Sequence, residues 1–410
     1  MVNNMKRLNA VTLLSLCVMI FTLPFSKSLV EIFFIIALVS WVLRRALSYK
    51  PGVPLITLFK PVSAPLNLPL CLFALLGFLS VLTSVSITLS LKGFFFKLLE
   101  GILIYFIIVE TVNDRKKLNL VLVVMSLTIL LLCADGIFQH RIGQDFIRHY
   151  PVCGHRIHAS FSNPNGFGCW LAVMLPLVFS LGMIKHKNFP QKIIRFLIWG
   201  LICAAAFCLL MTYSRGAWMG AAIGLFFIGI LKKNRFLIIA VPIMIVLPFI
   251  VPASNIKERL FSIIAFNSSG RVILWHEALA VIKDFPIFGC GLNTYSIIAP
   301  SYKFTADGGT YPHNSYLQMT AELGIVGLVA FAWIIFRLFK TSLESIKMIK
   351  DGFYSNVLMG LSAGMLAFLV HSFFDVNFYA LQLATLMWFV MGLIIAVQNI
   401  AVKEDKPWLI

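Results

Sequence analysis

The chain has 410 residues, 60% hydrophobic and only 12% charged, a composition too apolar for a water-soluble globular domain. Its formal net charge of +18 comes from basic residues scattered between apolar runs, not gathered on one folded face. That pattern sets nucleic-acid binding aside and fits positive charge used for topology against an anionic membrane.

The apolar runs suit helices of about 17–25 residues, and no series of short alternating strands suggests an outer-membrane barrel. The expected class is therefore all-α, a polytopic membrane protein with about twelve transmembrane helices and a helical loop domain. The spans are expected near 8–26, 29–43, 67–90, 94–111, 118–137, 166–184, 194–212, 217–231, 236–252, 318–339, 355–374 and 377–397. The first follows Lys6 and Arg7 like a signal peptide. It lacks a small-x-small cleavage site and runs quickly into the second, so it reads as an uncleaved helix. Long polar connections fall at about 138–165 and 253–317. They divide the chain into 1–252 with nine spans, a large loop domain over 253–317, and 318–410 with three spans and a tail.

With the N-terminus in the cytoplasm, 22 of the 34 Lys and Arg residues lie inside. Eight of the remainder sit in the two long connections, leaving only Lys27, Lys92, Lys97 and Arg215 in short outward loops. This positive-inside bias places both termini in the cytoplasm and both long loops outside. The topology rule does not account for the outward basic residues, so each is a candidate for another task. No period of 20–50 residues recurs and the halves show no inverted repeat, which weighs against a secondary transporter.

The first outward connection holds His140, His149, His155 and His158. His155-x-x-His158 could bring two metal ligands together, but no thiolate or carboxylate cluster accompanies them, and a solvated basic loop near phosphates is favoured. Asn163-Pro164-Asn165-Gly166 is turn chemistry leading back into the membrane. Most of the eight cysteines fall inside spans. Cys153 and Cys290 are in polar loops, and a disulfide between them is a minority reading.

Thr212-Tyr213-Ser214-Arg215-Gly216 joins two apolar runs with almost no loop. An arginine there must snorkel, pair or line a wet cavity. Its planar fork suits phosphate, and Gly216 lets a ligand approach; an interfacial arginine on headgroups is the competing use. In the second connection, Ser254 to Ile264 reads as an amphipathic surface helix. Asn267-Ser268-Ser269-Gly270 offers caps for a second helix from Val272 to about Lys283. Arg271 then lies in the first turn, where its charge adds to free N–H groups to form an anion site, or it is an ordinary surface arginine. Gly289-Cys290-Gly291 follows no strand of a βαβ unit, so a compact turn is expected and not a dinucleotide site.

At Tyr311-Pro312-His313-Asn314 the polar loop meets a membrane helix. Pro312 disfavours a helical Tyr311 and Asn314 is a suitable cap, which puts His313 at the helix mouth as a base or as a structural histidine. Thr320, Gly324 and Leu328, with Gly327 and Ala321 beside them, form a small-residue surface for close packing. Glu322, His371 and Asp375 are ionisable residues in or near spans. His371 and Asp375 are four apart and are expected to pair across one helical turn.

Taken together, Thr212-Tyr213-Ser214-Arg215-Gly216, Gly270-Arg271, Pro286-x-x-Gly289-x-Gly291 and His313-Asn314, followed after nine residues by Gly324-x-x-Gly327, resemble the O-antigen ligases. That family shares a superfamily with O-antigen polymerases and bacterial protein O-oligosaccharyltransferases. The resemblance implies a bacterial inner-membrane enzyme with a periplasmic site. It would move a polysaccharide from undecaprenyl pyrophosphate to a sugar hydroxyl of lipid A core by inverting transfer without metal or cofactor. By that likeness Arg215 and Arg271 hold the pyrophosphate, His313 is the general base, and Asn314 belongs to the substrate-binding residues. The partners implied are the lipid-linked polysaccharide, lipid A core and membrane lipids. A polymerase using a second lipid-linked repeat, and a flippase that binds phosphate without making a bond, are the alternatives.

Overall fold

A computed structural model describes residues 2–49, 61–184, 189–239, 241, 271–303 and 310–405. The helices are α1 (Val2–Thr22), α2 (Lys27–Ser48), α3 (Asn67–Leu82), α4 (Ile87–Gly93), α5 (Glu100–Thr111), α6 (Arg115–Ile142), α7 (Pro164–Gly182), α8 (Phe189–Met211) and α9 (Arg215–Lys232). They continue with α10 (Arg271–Asp284), α11 (Tyr295–Ile298), α12 (Ser315–Met348), α13 (Gly352–Ser372) and α14 (Leu381–Asp405). Only isolated β-bridges occur among the described residues, as expected of an all-α membrane protein. Eight of these helices are long and apolar enough to cross a bilayer, against the twelve spans expected. The surface helix over Ser254–Ile264, the caps Asn267 to Gly270 and most of the span at 236–252 lie outside the described residues.

The caps follow from local chemistry. Asp114 accepts from Lys117 N at 2.9 Å to start α6, and Asn163 accepts from Gly166 N at 2.8 Å to start α7, with Pro164 in its first turn. Gly143 ends α6 at φ 92°, a left-handed value that favours glycine.

The bundle centre is α14 and α7, whose spans are 89% and 83% buried; α8, at 17%, lies at the periphery. Helix α13 packs closely on α7 and α9 through small residues: Gly360 faces Leu177, Gly220 faces the Ala367 carbonyl and Gly224 faces that of Ala363. Such seams let backbones approach where a hydrophobic driving force is missing. They also fix the C-terminal end of α13 against the start of α9. At the opposite end, Glu110 of α5 is bonded by Arg44, Arg45 and Trp41 of α2, so the buried carboxylate is fully compensated.

The spans expected at 67–90 and 94–111 depart from simple helices. Between α3 and α5 the chain forms the short α4 and then a π-helical turn, Phe94–Leu99. Helix α12 is also interrupted: Gly324 adopts φ 69° and ψ −176° within its 34 residues. Into that break fits the turn after α10. Cys290 N donates to Ala321 O at 2.8 Å, Gly291 N to Glu322 O at 3.0 Å and Ile325 N to Pro286 O at 2.9 Å. A Cβ at Gly324 would collide with the Ile287 carbonyl, and one at Gly289 with Glu322, so close backbone approach accounts for these glycines.

Candidate functional site

The loop before α12 and the segment after α13 hold one another. Ser315 donates through N and Oγ to the Asp375 carbonyl at 3.1 and 2.7 Å, and Tyr316 Oη donates to Leu369 O at 2.8 Å. Asn314 Oδ1 accepts from the N–H groups of Tyr316 and Leu317, making it the cap of α12. It is 2% exposed with its oxygen engaged, so any substrate contact falls to its amide nitrogen.

His313 sits at φ 45°, in the left-handed region that a non-glycine residue adopts at a cost of about 1 kcal/mol. Its Nδ1 lies 3.1 Å from Asp375 Oδ1. The His313 side chain is 43% exposed and that of Asp375 16%. The carboxylate accepts Nδ1–H, which leaves Nε2 as the unprotonated nitrogen of the neutral ring. Burial alone would raise the Asp375 carboxyl. The hydrogen bond from His313, the influence of His371 and the N–H of Val376 outweigh it and hold the group at about 2, below its ordinary 3.8.

The pairing expected between His371 and Asp375 is not formed. Helix α13 ends at Ser372, so Asp375 lies beyond the helical register and turns to the neighbouring loop. His371 is buried, and its Nδ1 instead accepts from Asn377 Nδ2 at 2.8 Å. Glu322, also singled out in the sequence, is a structural latch. It is 1% exposed and accepts from Asn293 N at 2.6 Å, Tyr295 N at 3.2 Å and Gln318 Nε2 at 3.3 Å, tying the inserted turn to α12.

Both arginines converge on the same segment. Arg215 is the first residue of α9, and a Cβ on the adjacent Gly216 would meet Phe374 Cβ at 3.0 Å and His371 Cδ2 at 3.3 Å. The preceding turn, with Tyr213 at φ 49°, is held by Arg156, whose Nε donates to Thr212 O at 2.8 Å. Arg271 opens α10 and its charge is felt at His371. One helical turn later Trp275 Nε1 donates to Pro312 O at 2.9 Å, and its ring packs edge-on to Phe373, which binds α10 to the His313 loop. Residues 371–375 thus adjoin the start of α9 at Gly216, feel the charge of Arg271 and meet His313.

The connection between α6 and α7 is held by polar groups of its own and of the end of α6. Gln139 Oε1 accepts from the N–H groups of His158 and Ala159, and Asp135 accepts from Ser160 Oγ and Phe146 N. His158 has carbonyls of Phe161 and Pro151 at its two ring nitrogens, 2.5 and 2.9 Å away, so neither is presented to a metal beside His155. Cys153 is exposed while Cys290 is buried, and both are free thiols. Burial pushes the Cys290 thiol up to about 12.

Residues 200–332 match a family model described as O-antigen ligase. A protein of Rickettsia conorii named as a polysaccharide ligase is 30% identical over 82 residues, covering 18% of this chain. The matched region spans 20% of that relative's length. Through the stretch that holds Arg215, Arg271 and His313, the chain matches the O-antigen ligase family.

Proposed function

We propose that this protein is a glycosyltransferase that moves a polysaccharide from undecaprenyl pyrophosphate to a sugar hydroxyl of lipid A core on the periplasmic face of the inner membrane. The observation that carries the reading is the His313–Asp375 contact beside two arginines, at the end of the bundle assigned outward by the charge pattern. Nε2 of His313 takes the proton of the acceptor hydroxyl as its oxygen forms a bond to the anomeric carbon. Asp375 holds the ring in the required tautomer and offsets the imidazolium that results. The bond from the anomeric carbon to the phosphate oxygen breaks, and its electrons leave with undecaprenyl pyrophosphate. Arg215 and Arg271 meet that charge, so attack and departure on opposite faces invert the centre.

A polymerase reading keeps the same chemistry and replaces lipid A core with a second lipid-linked repeat. Reconstituted protein given lipid-linked polysaccharide and each acceptor separately decides between them. Transfer to lipid A core, unaffected by a chelator, is the expected result; transfer only to the lipid-linked repeat overturns the ligase assignment. Activity restored only by a divalent ion contradicts the metal-independent step.

A further inference from the structure

The outward lysine on the π-helical turn has a setting of its own. Lys97 is exposed and directly follows the exposed Phe95 and Phe96, and a π-turn inside a membrane helix often marks a functional position. Its ammonium donates to Asn293 Oδ1 at 2.6 Å and lies 6.0 Å from the ring centroid of Tyr379. The charge of Glu322 reaches it, but that carboxylate is already engaged by Asn293 N, Tyr295 N and Gln318 Nε2. Among the described residues no further acceptor bonds the ammonium, which has three hydrogens to place.

Lys97 stands at the mouth of a cleft with a cavity volume of about 60 Å³. The interior is apolar, formed by Phe73, Leu98, Met319, Phe331 and Trp388, each under 9% exposed. A cation at the mouth and hydrocarbon surface inside is the pattern that recognises an anionic lipid.

The place of this cleft in the fold says which lipid. Along the segment after α13, His371 and Phe374 adjoin Gly216, Asp375 meets His313, and Phe378 and Tyr379 line the cleft with Lys97. The two arginines and the lysine therefore flank the His313–Asp375 pair along one stretch of chain. We propose that Lys97 and Asn293 bind a lipid-anchored phosphate of the acceptor, an acylated phosphoglycolipid, whose chains stay in the bilayer and lie across the mouth of the cleft. This assignment rests on the glycosyl-transfer reading above and adds to it a separate seat for the second substrate.

The test uses full-length protein in phosphatidylcholine nanodiscs with separately titrated donor and acceptor. Loss of one charge-assisted hydrogen bond in Lys97→Met is expected to raise the acceptor KM about tenfold while the donor KM stays within about twofold. Lys97→Arg is expected to restore most of the loss, which a purely packing role for the side chain would not do. A rise in donor KM instead, or no change in acceptor KM, overturns the proposal.

Binding is read independently of turnover by quenching of Trp388 with brominated-chain lipids, taken as the difference from Trp388→Phe. A brominated, phosphorylated acyl-disaccharide is expected to quench in wild type and not in Lys97→Met, and its dephosphorylated form to quench in neither. Equal quenching by brominated phosphatidylglycerol makes the cleft a general site for bilayer lipid and overturns the acceptor assignment. If no acceptor receives sugar from wild type but phosphate-dependent quenching persists, the transfer reading fails and the lipid site stands. Transfer without such quenching removes the site and leaves the transfer reading intact.

Discussion

His313 and Asp375, sixty-two positions apart in the chain, meet through Nδ1 and Oδ1 at 3.1 Å, and the backbone carbonyl of the same aspartate is gripped by Ser315. The loop that carries His313 and the segment that carries Asp375 are thus one unit. Each can be tested by removing one atom set at a time.

Replacing the imidazole removes the proposed base and is expected to leave the bundle intact, because the ring is 43% exposed. His313→Ala is expected to accumulate in the membrane at the wild-type level and to lower transfer by at least about a hundredfold. Gel separation of lipopolysaccharide from a strain lacking the native protein measures it, and a normal polysaccharide ladder would remove His313 from the reaction.

Asp375→Asn keeps the shape but offers Nδ1 a group that can donate, favouring the wrong tautomer. A loss in kcat of roughly 10²–10⁴ is expected, with acceptor and donor KM little changed. A KM effect without a kcat effect would make Asp375 a binding residue.

The same carboxylate gives a pH signature. Its value is depressed from 3.8 to about 2, so its contribution to stability is complete above the ordinary value and is lost as pH falls through about 2. The stability gap between wild type and Asp375→Asn is therefore expected to close as pH falls from about 4 to about 2. Thermal unfolding in detergent across that range reads it, and a gap that widens on acidification contradicts the sign.

For the arginines the expected outcome depends on geometry as well as charge. Arg215→Ala and Arg271→Ala are expected to lose transfer severely, and lysine at either place to recover little, because an ammonium lacks the planar fork. Kinetics with the lipid-linked donor check this, and full activity of either alanine variant takes that residue out of the phosphate site.

Gly324→Ala is a test of the backbone break in α12. Its φ of 69° strains any side chain, and the Cβ would collide with the Ile287 carbonyl. A loss of several kcal/mol in stability is expected, whereas Gly200→Ala, with no atom within 4 Å of its Cβ, should be neutral or stabilising by up to about 1 kcal/mol. Paired unfolding curves in detergent compare the two.

Much of this was legible in the sequence, because apolar length and basic residues report directly on the bilayer. Runs at 118–137, 166–184 and 355–374 correspond to α6, α7 and α13 with shifts of a few residues. The cap at Asn314 was equally readable, since a short polar side chain before an apolar run has few other uses. Less accessible were contacts set by where a helix stops. The i,i+4 rule paired Asp375 with His371, and the rule lapses because α13 has ended by then. Glu322 likewise looked functional from its charge in a span; only the turn folded into the break of α12 shows what its oxygens bond. The π-turn at Phe94–Leu99 leaves no mark in apolar periodicity, so Lys97 stood out through charge bookkeeping alone.

The break at Gly324 gives α12 a mechanical character that its length conceals. Residues 315–323 are pinned to the inserted turn and to the segment after α13, while the stretch beyond Gly324 runs on into the bundle. The two pieces behave as a shaft and a mounted head coupled at a pivot. The position of the loop that carries His313 is therefore set by the inserted turn and the segment after α13, and not by a helical register continuous with the shaft.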